Sequence, residues 1–493
     1  MTKSFRVIPA LLAAALLAGC AELDVTDPNQ RTADTFWQTE QDAVMGVNAA
    51  YRGLQENGGY GRWLQFAYDM RSDIGYSRSP WGDLANFTKS VLGSYDFEVN
   101  REIFQHHYQT VFRANQVIAY VPGITGMNAG TRDRIVGEAK FIRALSYFNL
   151  VNLYGNIPLV LEPSTPADRP AQVAPDVVWA QIEKDLTEAR AVLPASYTGT
   201  DVGRATRGAA AALLGRAHLQ QREWAAAATA FAEVTGGTQY SLLPNFGDNF
   251  TAAGDNSAET IFEVQFGGPE VLAAGSRGQN IIKMMGPCGV GFCDGEPRQW
   301  YVDEFHKETT VAGGTDPRLD ATLFYNRPGG MDVYGTPFAS RYGNRLGDEF
   351  WKKFGEYYKT DQDWDNPVNV EVMRLGGVLL LHAEALTENN QVEQARPLVN
   401  RVRQRAGLAP LAAGMSQAAM RAEIEHQILL ELGLENERWL WLARQGWLTD
   451  AGRIAVLRTR DPDFDVFAAH RALLPIPSTE TNLNPNVKQN PGW

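Results

Sequence analysis

Twice in this chain a small residue on one helical stretch stands twelve positions before an alanine on the next. The first instance is Leu214-Gly215-x-x-His218 followed by Ala227-x-x-x-Phe231. The second is His382-Ala383-x-x-Leu386 followed by Ala395-x-x-x-Val399. Small residues at these places let two antiparallel helices approach closely, the spacing of a tetratricopeptide-type helix pair. The two instances lie 168 residues apart, so the chain is no tandem solenoid in sequence; long insertions interrupt its helix pairs.

Helical periodicity extends well beyond these pairs. The pattern predicts helices over 38–54, 101–120, 132–153, 176–192, 207–220, 223–234, 370–388, 391–405 and 417–444. In 132–153, Ile135, Ala139, Ile142, Leu145 and Phe148 recur at spacings of three and four, one stripe for burial. Residues 60–100 and 236–369 break the pattern and are rich in Gly, Asp, Asn and aromatic residues, with strand-like pieces such as Thr260 to Phe266. Loops of that length inside a compact protein are usually functional. The expectation is a mainly α fold: a helical scaffold over about 36–235 and 370–446, carrying a loop-built insertion over about 236–369. The formal charge of −12 leaves no basic stripe and argues against nucleic acid as a partner.

Lys3 and Arg6 precede an apolar run from Val7 to Ala18, too short to span a bilayer and of signal-peptide size. It ends Leu17-Ala18-Gly19-Cys20, which is similar to the lipobox of bacterial lipoproteins. Residues 1–19 are expected to be removed and Cys20 lipidated, with 20–35 as a tether. Several acyl chains, at about 0.8 kcal/mol per buried methylene, anchor durably. Cys288 and Cys293 lie in a Gly-rich loop and read as a local disulfide in an exported chain. A metal site is the alternative, but His306 is the only histidine nearby.

Signs of catalysis are weak. Glu431, Glu435 and Arg438 fall at helical spacings, but a neighbouring Arg keeps carboxylates ionised and spoils a general acid, so they read as a structural ion network beside Trp439. Asp361, Asp363 and Asp365 begin like a calcium loop, but Asn366 and Val372 occupy the places of its glycine and its final acid. That stretch reads as a solvated loop before a helix. No Walker loop, nucleophile elbow or dinucleotide fingerprint is present, and no cofactor is expected.

An ordered series of segments resembles the SusD/RagB family of surface nutrient-binding lipoproteins. It runs through Cys20 to Asp24, Pro28, Phe36-Trp37, Asp42-Ala43 and Asn48 to Tyr51. Glu138-Ala139, Arg143-Ala144, Tyr147-Phe148 and Tyr154 to Pro158 follow, then Asp316-Pro317-Arg318, Asn366-Pro367-Val368, Arg374 and Ala383-Glu384-Ala385. The series closes with Asn400, Arg403, Arg405 to Gly407, Glu431, Glu435, Arg438-Trp439, Leu442, Arg444, Leu474 to Pro477, Glu480, Asn484 to Asn486 and Gln489 to Trp493. The chain departs from the family pattern at Gly377, His426-Gln427 and Trp441. The resemblance implies a single SusD-like α-rich domain over 36–493, without enzymatic activity. It would sit on the outer membrane, facing outward, cap a SusC-like TonB-dependent barrel, and pass a captured glycan, or in some members a peptide, to it. A surface glycoside hydrolase and a scaffolding lipoprotein are the alternatives from other classes.

Glycan binding without chemistry needs aromatic faces for sugar rings and polar groups for hydroxyls. The stretch Asp69 to Asn86 carries that content, with Asp69, Arg71, Asp73, Tyr76, Arg78, Trp81, Asp83 and Asn86. Trp81, between Pro80 and Gly82, leads the candidates, with packing under its own loop as the other reading. Trp300, Tyr301, Tyr334 and Trp351 of the large insertion are further ligand candidates, with core packing as the favoured alternative for each.

Overall fold

The computed structural model describes residues 33–165, 167–267, 277–356 and 364–493. Cys20, the leader, the tether up to residue 32, and Asp361 and Asp363 lie outside the described residues. A short helix, Ala33–Phe36, occupies the last part of the stretch expected to be a tether.

The long helices form where the apolar spacing predicts them. They are α1 (Glu40–Leu54), α2 (Glu98–Tyr120), α3 (Ala129–Tyr154), α4 (Pro175–Val192), α5 (Arg207–Gln220) and α6 (Trp224–Thr235). After the insertion come α7 (Leu375–Glu388), α8 (Val392–Arg405) and α9 (Gln417–Leu432). Start signals are local. Thr39 and Asp42 make a capping box on α1, and Asn128, Thr206 and Ser416 cap α3, α5 and α9 through their side chains.

The antiparallel pair α5–α6 closes around Gly215. A Cβ there would lie 2.6 Å from the Phe231 ring. In the second pair Ala383, Ala395 and Val399 are fully buried. The two pairs, so distant in sequence, are neighbours in space, with α6 packed along α7. Thr235 Oγ1 and His382 Nδ1 are 2.8 Å apart, and Arg401 Nη1 donates to the Thr235 carbonyl at 3.2 Å. The insertion is therefore looped out between two consecutive layers of one helical stack, and the chain is mainly helical and a single domain.

Two sequence expectations fail locally. Residues 370–374 are a strand, paired antiparallel with Thr260–Val264 across register shifts, and only then does α7 begin. Asn366 therefore precedes a strand rather than a helix. Helix 417–444 breaks after Leu432 and resumes at Arg438–Arg444, with Leu434 and Asn436 at φ of 67° and 63°. Glu431, Glu435 and Arg438 thus share no helix face.

All three are nonetheless in buried ion pairs. Arg374, at the strand end, reaches Glu431 at 2.5 Å, Glu435 at 2.7 Å and Glu259 at 3.0 Å. Arg438 grips Asp73 through two bonds of 2.7 and 2.8 Å. At two of the positions that depart from the family pattern, His426 Nδ1 meets Glu304 at 2.8 Å and Gln427 accepts from Arg318 at 2.9 Å. Asp69, also fully buried, accepts the Asn436 backbone N–H at 2.9 Å. Burial, with Glu435 and Glu437 adding to it, pushes the Asp69 carboxyl up to about 8 against the lowering effects of that N–H and Lys353.

Gly215→Ala should cost about 1–3 kcal/mol, because the added methyl must displace a packed ring; an unshifted denaturant midpoint would contradict the close approach. Asp69 makes a pH prediction. Its folded pKa is raised above the ordinary 3.8, so the native state holds an extra proton up to about 8. Its contribution is full below the ordinary value and is lost as pH rises through the window to about 8, at up to about 1.4 kcal/mol per pH unit. Unfolding free energies measured across that window should fall less steeply in Asp69→Asn than in the unaltered protein; parallel slopes would refute the assignment.

Candidate functional site

Backbone hydrogen bonds lace three remote stretches of loop into one face. Asn280 N–H donates to Gly61 O at 2.8 Å. Gln279 and Asn366 exchange two backbone bonds of 2.8 and 3.1 Å. Gly278 is obligatory beside them, since a Cβ would stand 2.3 Å from Asp365 Cα. The Cys288–Cys293 disulfide, with S–S 2.06 Å, closes a turn hung on the helix Ile281–Met285, where Phe292 N–H donates to Lys283 O at 2.8 Å. A two-residue ladder, Gly75–Tyr76 against Glu296–Pro297, brings in the fourth stretch, the loop holding Trp81.

The product is an aromatic platform. Phe292, Trp364 and Trp81 are 48%, 43% and 37% exposed, the three most exposed large rings on this face. Phe292 and Trp364 meet edge to face with centroids 5.4 Å apart. The buried Trp63 links across to Trp81, at 6.3 Å. Trp81 is in turn held by Phe97 at 5.2 Å. Between the two halves lies Arg62, its Cζ 4.9 Å from the Trp63 ring and 5.3 Å from the Trp364 ring. Trp63 Nε1–H donates to Glu102 at 2.8 Å, which fixes the indole under the guanidinium. Arg62 itself makes no hydrogen bond or ion pair to a described residue, and its Nε is buried. Burial pulls its affinity for a proton down, against Glu102 and Glu98. A cation clamped between indoles with its donors unspent is poised for an external acceptor.

The residues expected from sequence to meet ligand divide sharply. Trp81 is on the platform, and Asp83 and Asn86 are exposed on the helix Gly82–Thr88 beside it. Tyr76 is half-buried, its ring covered by Arg298 with Cζ at 4.0 Å. Its hydroxyl is turned to Glu296, and burial followed by that bond pushes it up. Arg78 is exposed but donates to the same Glu296 at 2.6 Å. Three of the ligand candidates are corrected to the packing alternative. Trp351, Tyr301 and Tyr334 are buried and offer no ring face to solvent. Trp351 lies against Tyr301 at 5.6 Å inside the main core, while Tyr334 packs on Phe324 in a small satellite core. Trp300 is half-buried, donating from Nε1 to the Asp73 carbonyl beneath Arg460 at 4.7 Å. Asp69, Arg71 and Asp73 are buried in the scaffold network. Phe292, Trp364 and Arg62 are the residues that sequence reasoning missed; the one local signal was an aromatic in a loop of Gly, Asp and Asn.

Two family profiles match this chain in succession. Residues 23–219 match the one described as "Starch-binding associating with outer membrane", and 258–493 the one described as "SusD family". The chain belongs to the SusD/RagB family. Among its relatives, a SusD-like protein P25 of Formosa agariphila is 27% identical, with 94% of each chain covered. A SusD superfamily protein from Bacteroides vulgatus superposes with a TM-score of 0.83 at 24% identity, over 93% of this chain and all of the other. A laminarin binding SusD-like protein superposes at 0.74 with 26% identity, over 92% of this chain and all of the other. Within this SusD fold the platform sits on the loop face, outside the helical stack.

Packing and presentation can be separated. Trp351→Ala should cost about 3–5 kcal/mol, the range for deleting a buried aromatic. Trp364→Ala, which removes an exposed ring, should shift the unfolding midpoint far less; equal losses would mean that Trp364 is a core residue.

Proposed function

We propose that this protein captures an oligosaccharide or polysaccharide at the cell surface and delivers it to a SusC-like TonB-dependent barrel. The observation that carries the reading is the platform: three exposed aromatic rings around Arg62, whose donors have no partner among the described residues. Aromatic faces take the apolar faces of sugar rings, and a guanidinium takes their hydroxyls. Laminarin binding by a similar protein supports the ligand class. The outer-membrane association named for the family profile supports the location. Anchoring would come from lipid on Cys20, at the end of the lipobox-like stretch, after loss of residues 1–19.

The reading is capture without catalysis. The buried Glu431 and Glu435 belong to the ion network around Arg374. Burial pushes the Glu431 carboxyl up, but Arg405, Arg374 and Arg318 outweigh it and hold it well below the carboxylate range. A carboxylate so held cannot serve as a general acid.

Affinity electrophoresis through gels containing neutral polysaccharides, laminarin among them, tests the ligand. Retarded migration that is lost in Trp81→Ala/Trp364→Ala and weakened in Arg62→Ala is the expected result. Unretarded migration in every gel, with a peptide library bound instead, would move the reading to peptide capture. Delivery is tested by detergent extraction of native outer membranes and recovery of the tagged lipoprotein, where a stoichiometric barrel should accompany it.

A further inference from the structure

A second concavity lies apart from the platform and shares no lining residue with it. It is a cavity of about 550 Å³ beside α1, within the roughly 300–1,000 Å³ range of small-molecule sites. It continues into a smaller one of about 190 Å³ past Gly203, Phe262 and Glu263. One face of α1 and its C-cap residue supply Asn48, Tyr51, Arg52 and Gln55, at the i, i+3, i+4, i+7 spacing that puts side chains on one side of a helix. Arg204 and Gln265 face them.

The lining differs in kind from the platform. Its one aromatic side chain from α1, Tyr51, accepts the Ala205 backbone N–H through its hydroxyl at 2.8 Å. Most charges here are already spent. Arg204 pairs with Glu138 at 3.0 Å and Asp201 at 2.7 Å and donates to Asn48 Oδ1 at 2.9 Å. Glu263 accepts from Asn256 N–H at 2.8 Å and from Thr260 at 3.3 Å, and also from Asn369. Three groups on the α1 side remain uncommitted: the Asn48 amide nitrogen, Gln55 Oε1 and the Arg52 guanidinium have no hydrogen-bond partner among the described residues. One unpaired guanidinium with an amide donor and an amide acceptor beside it matches a saccharide that carries an anionic substituent. The planar fork fits a carboxylate or a sulfate, and the amides fit ring hydroxyls.

We propose that this cleft is a second, stacking-independent site for an acidic sugar residue, a uronate or a sulfate ester, with Arg52 pairing its anionic group and Asn48 and Gln55 holding its hydroxyls. The proposal rests on the reading that this protein binds saccharides, and it adds a subsite that neutral glycans would not fill.

The test titrates the full mature chain with glucuronate, glucose 6-sulfate and glucose, following amide or indole NMR shifts. Three proteins are compared: unaltered, Arg52→Gln, and Trp81→Ala/Trp364→Ala. At least one anionic sugar should bind about tenfold more tightly than glucose, which is one charged hydrogen-bonded contact. Added salt should weaken it. Arg52→Gln should bring it to the level of glucose with an unchanged melting temperature, and loss of the two platform tryptophans should leave it intact. Binding of glucuronate alone assigns a uronate, and of glucose 6-sulfate alone a sulfate ester. Neither anion binding better than glucose, or an Arg52→Gln protein that binds as the unaltered one does, overturns the proposal. Retained polysaccharide retardation alongside either failure would leave the platform reading standing, and its loss with anion binding intact would strike only the platform.

Discussion

The Arg374 guanidinium is the joint on which the molecule turns. It stands where a strand of the insertion becomes the first helix of the second pair, and it reaches carboxylates from both sides: Glu259 before the partner strand, and Glu431 and Glu435 on and beyond α9. Arg318, Arg405 and Lys353 complete the cluster, which is buried throughout. Taking so many charges out of water is costly, and it is tolerable because nearly every lone pair and donor finds a partner. A cluster of this kind adds little net stability over an apolar core. Deleting one member, however, strands the rest and costs about 3–5 kcal/mol. It ties Glu259, Arg318 and Lys353 of the insertion to Arg374, Arg405, Glu431 and Glu435 of the helical scaffold.

A second, smaller tie does the same at the other end. Asp73, from the loop that continues to Trp81, is gripped by Arg438 and Arg460. The early aromatic loop is thus bolted to the late helices before it reaches the surface. Rigid support beneath exposed rings is what stacking recognition requires, because rings fixed in advance lose little entropy on binding. The same rigidity explains why polar residues of that loop, Asp69, Arg71 and Asp73, serve the scaffold rather than the ligand.

The helices were legible because their causes are local: apolar stripes, capping side chains, and glycine or alanine where helices touch. The breaks were not. Leu434 adopts a left-handed backbone conformation that no leucine prefers, and tertiary contacts impose it, with Tyr301 packed against Gly433 and Asp69 holding Asn436. The strand Val370–Arg374 merges with α7 in a pattern of apolar residues that fits either period. At the site, Trp81 could be named because its neighbours in sequence are its neighbours in space. Trp351 and Trp364 look alike as loop tryptophans. Their opposite fates depend on long-range pairing, of Trp351 with Leu323 and of Asn366 with Gln279, and no local signal encodes it. The family resemblance, carried by ordered scaffold motifs, foretold the fold while remaining silent on the rings.

The lacing of the platform also sets an order of events. Helix pairs join residues a few tens of positions apart, so they can close as the chain emerges. The platform joins Gly61 to Asn280, Gln279 to Asn366, and Tyr76 to Glu296. Loop-closure entropy must be met before such distant contacts return anything. A growing chain therefore forms helices before it can form this face, whose last pairing, of Gln279 with Asn366, needs nearly three quarters of the chain. A chain cut short of Asn366 is a set of helices on which Phe292, Trp364 and Trp81 have no means to gather.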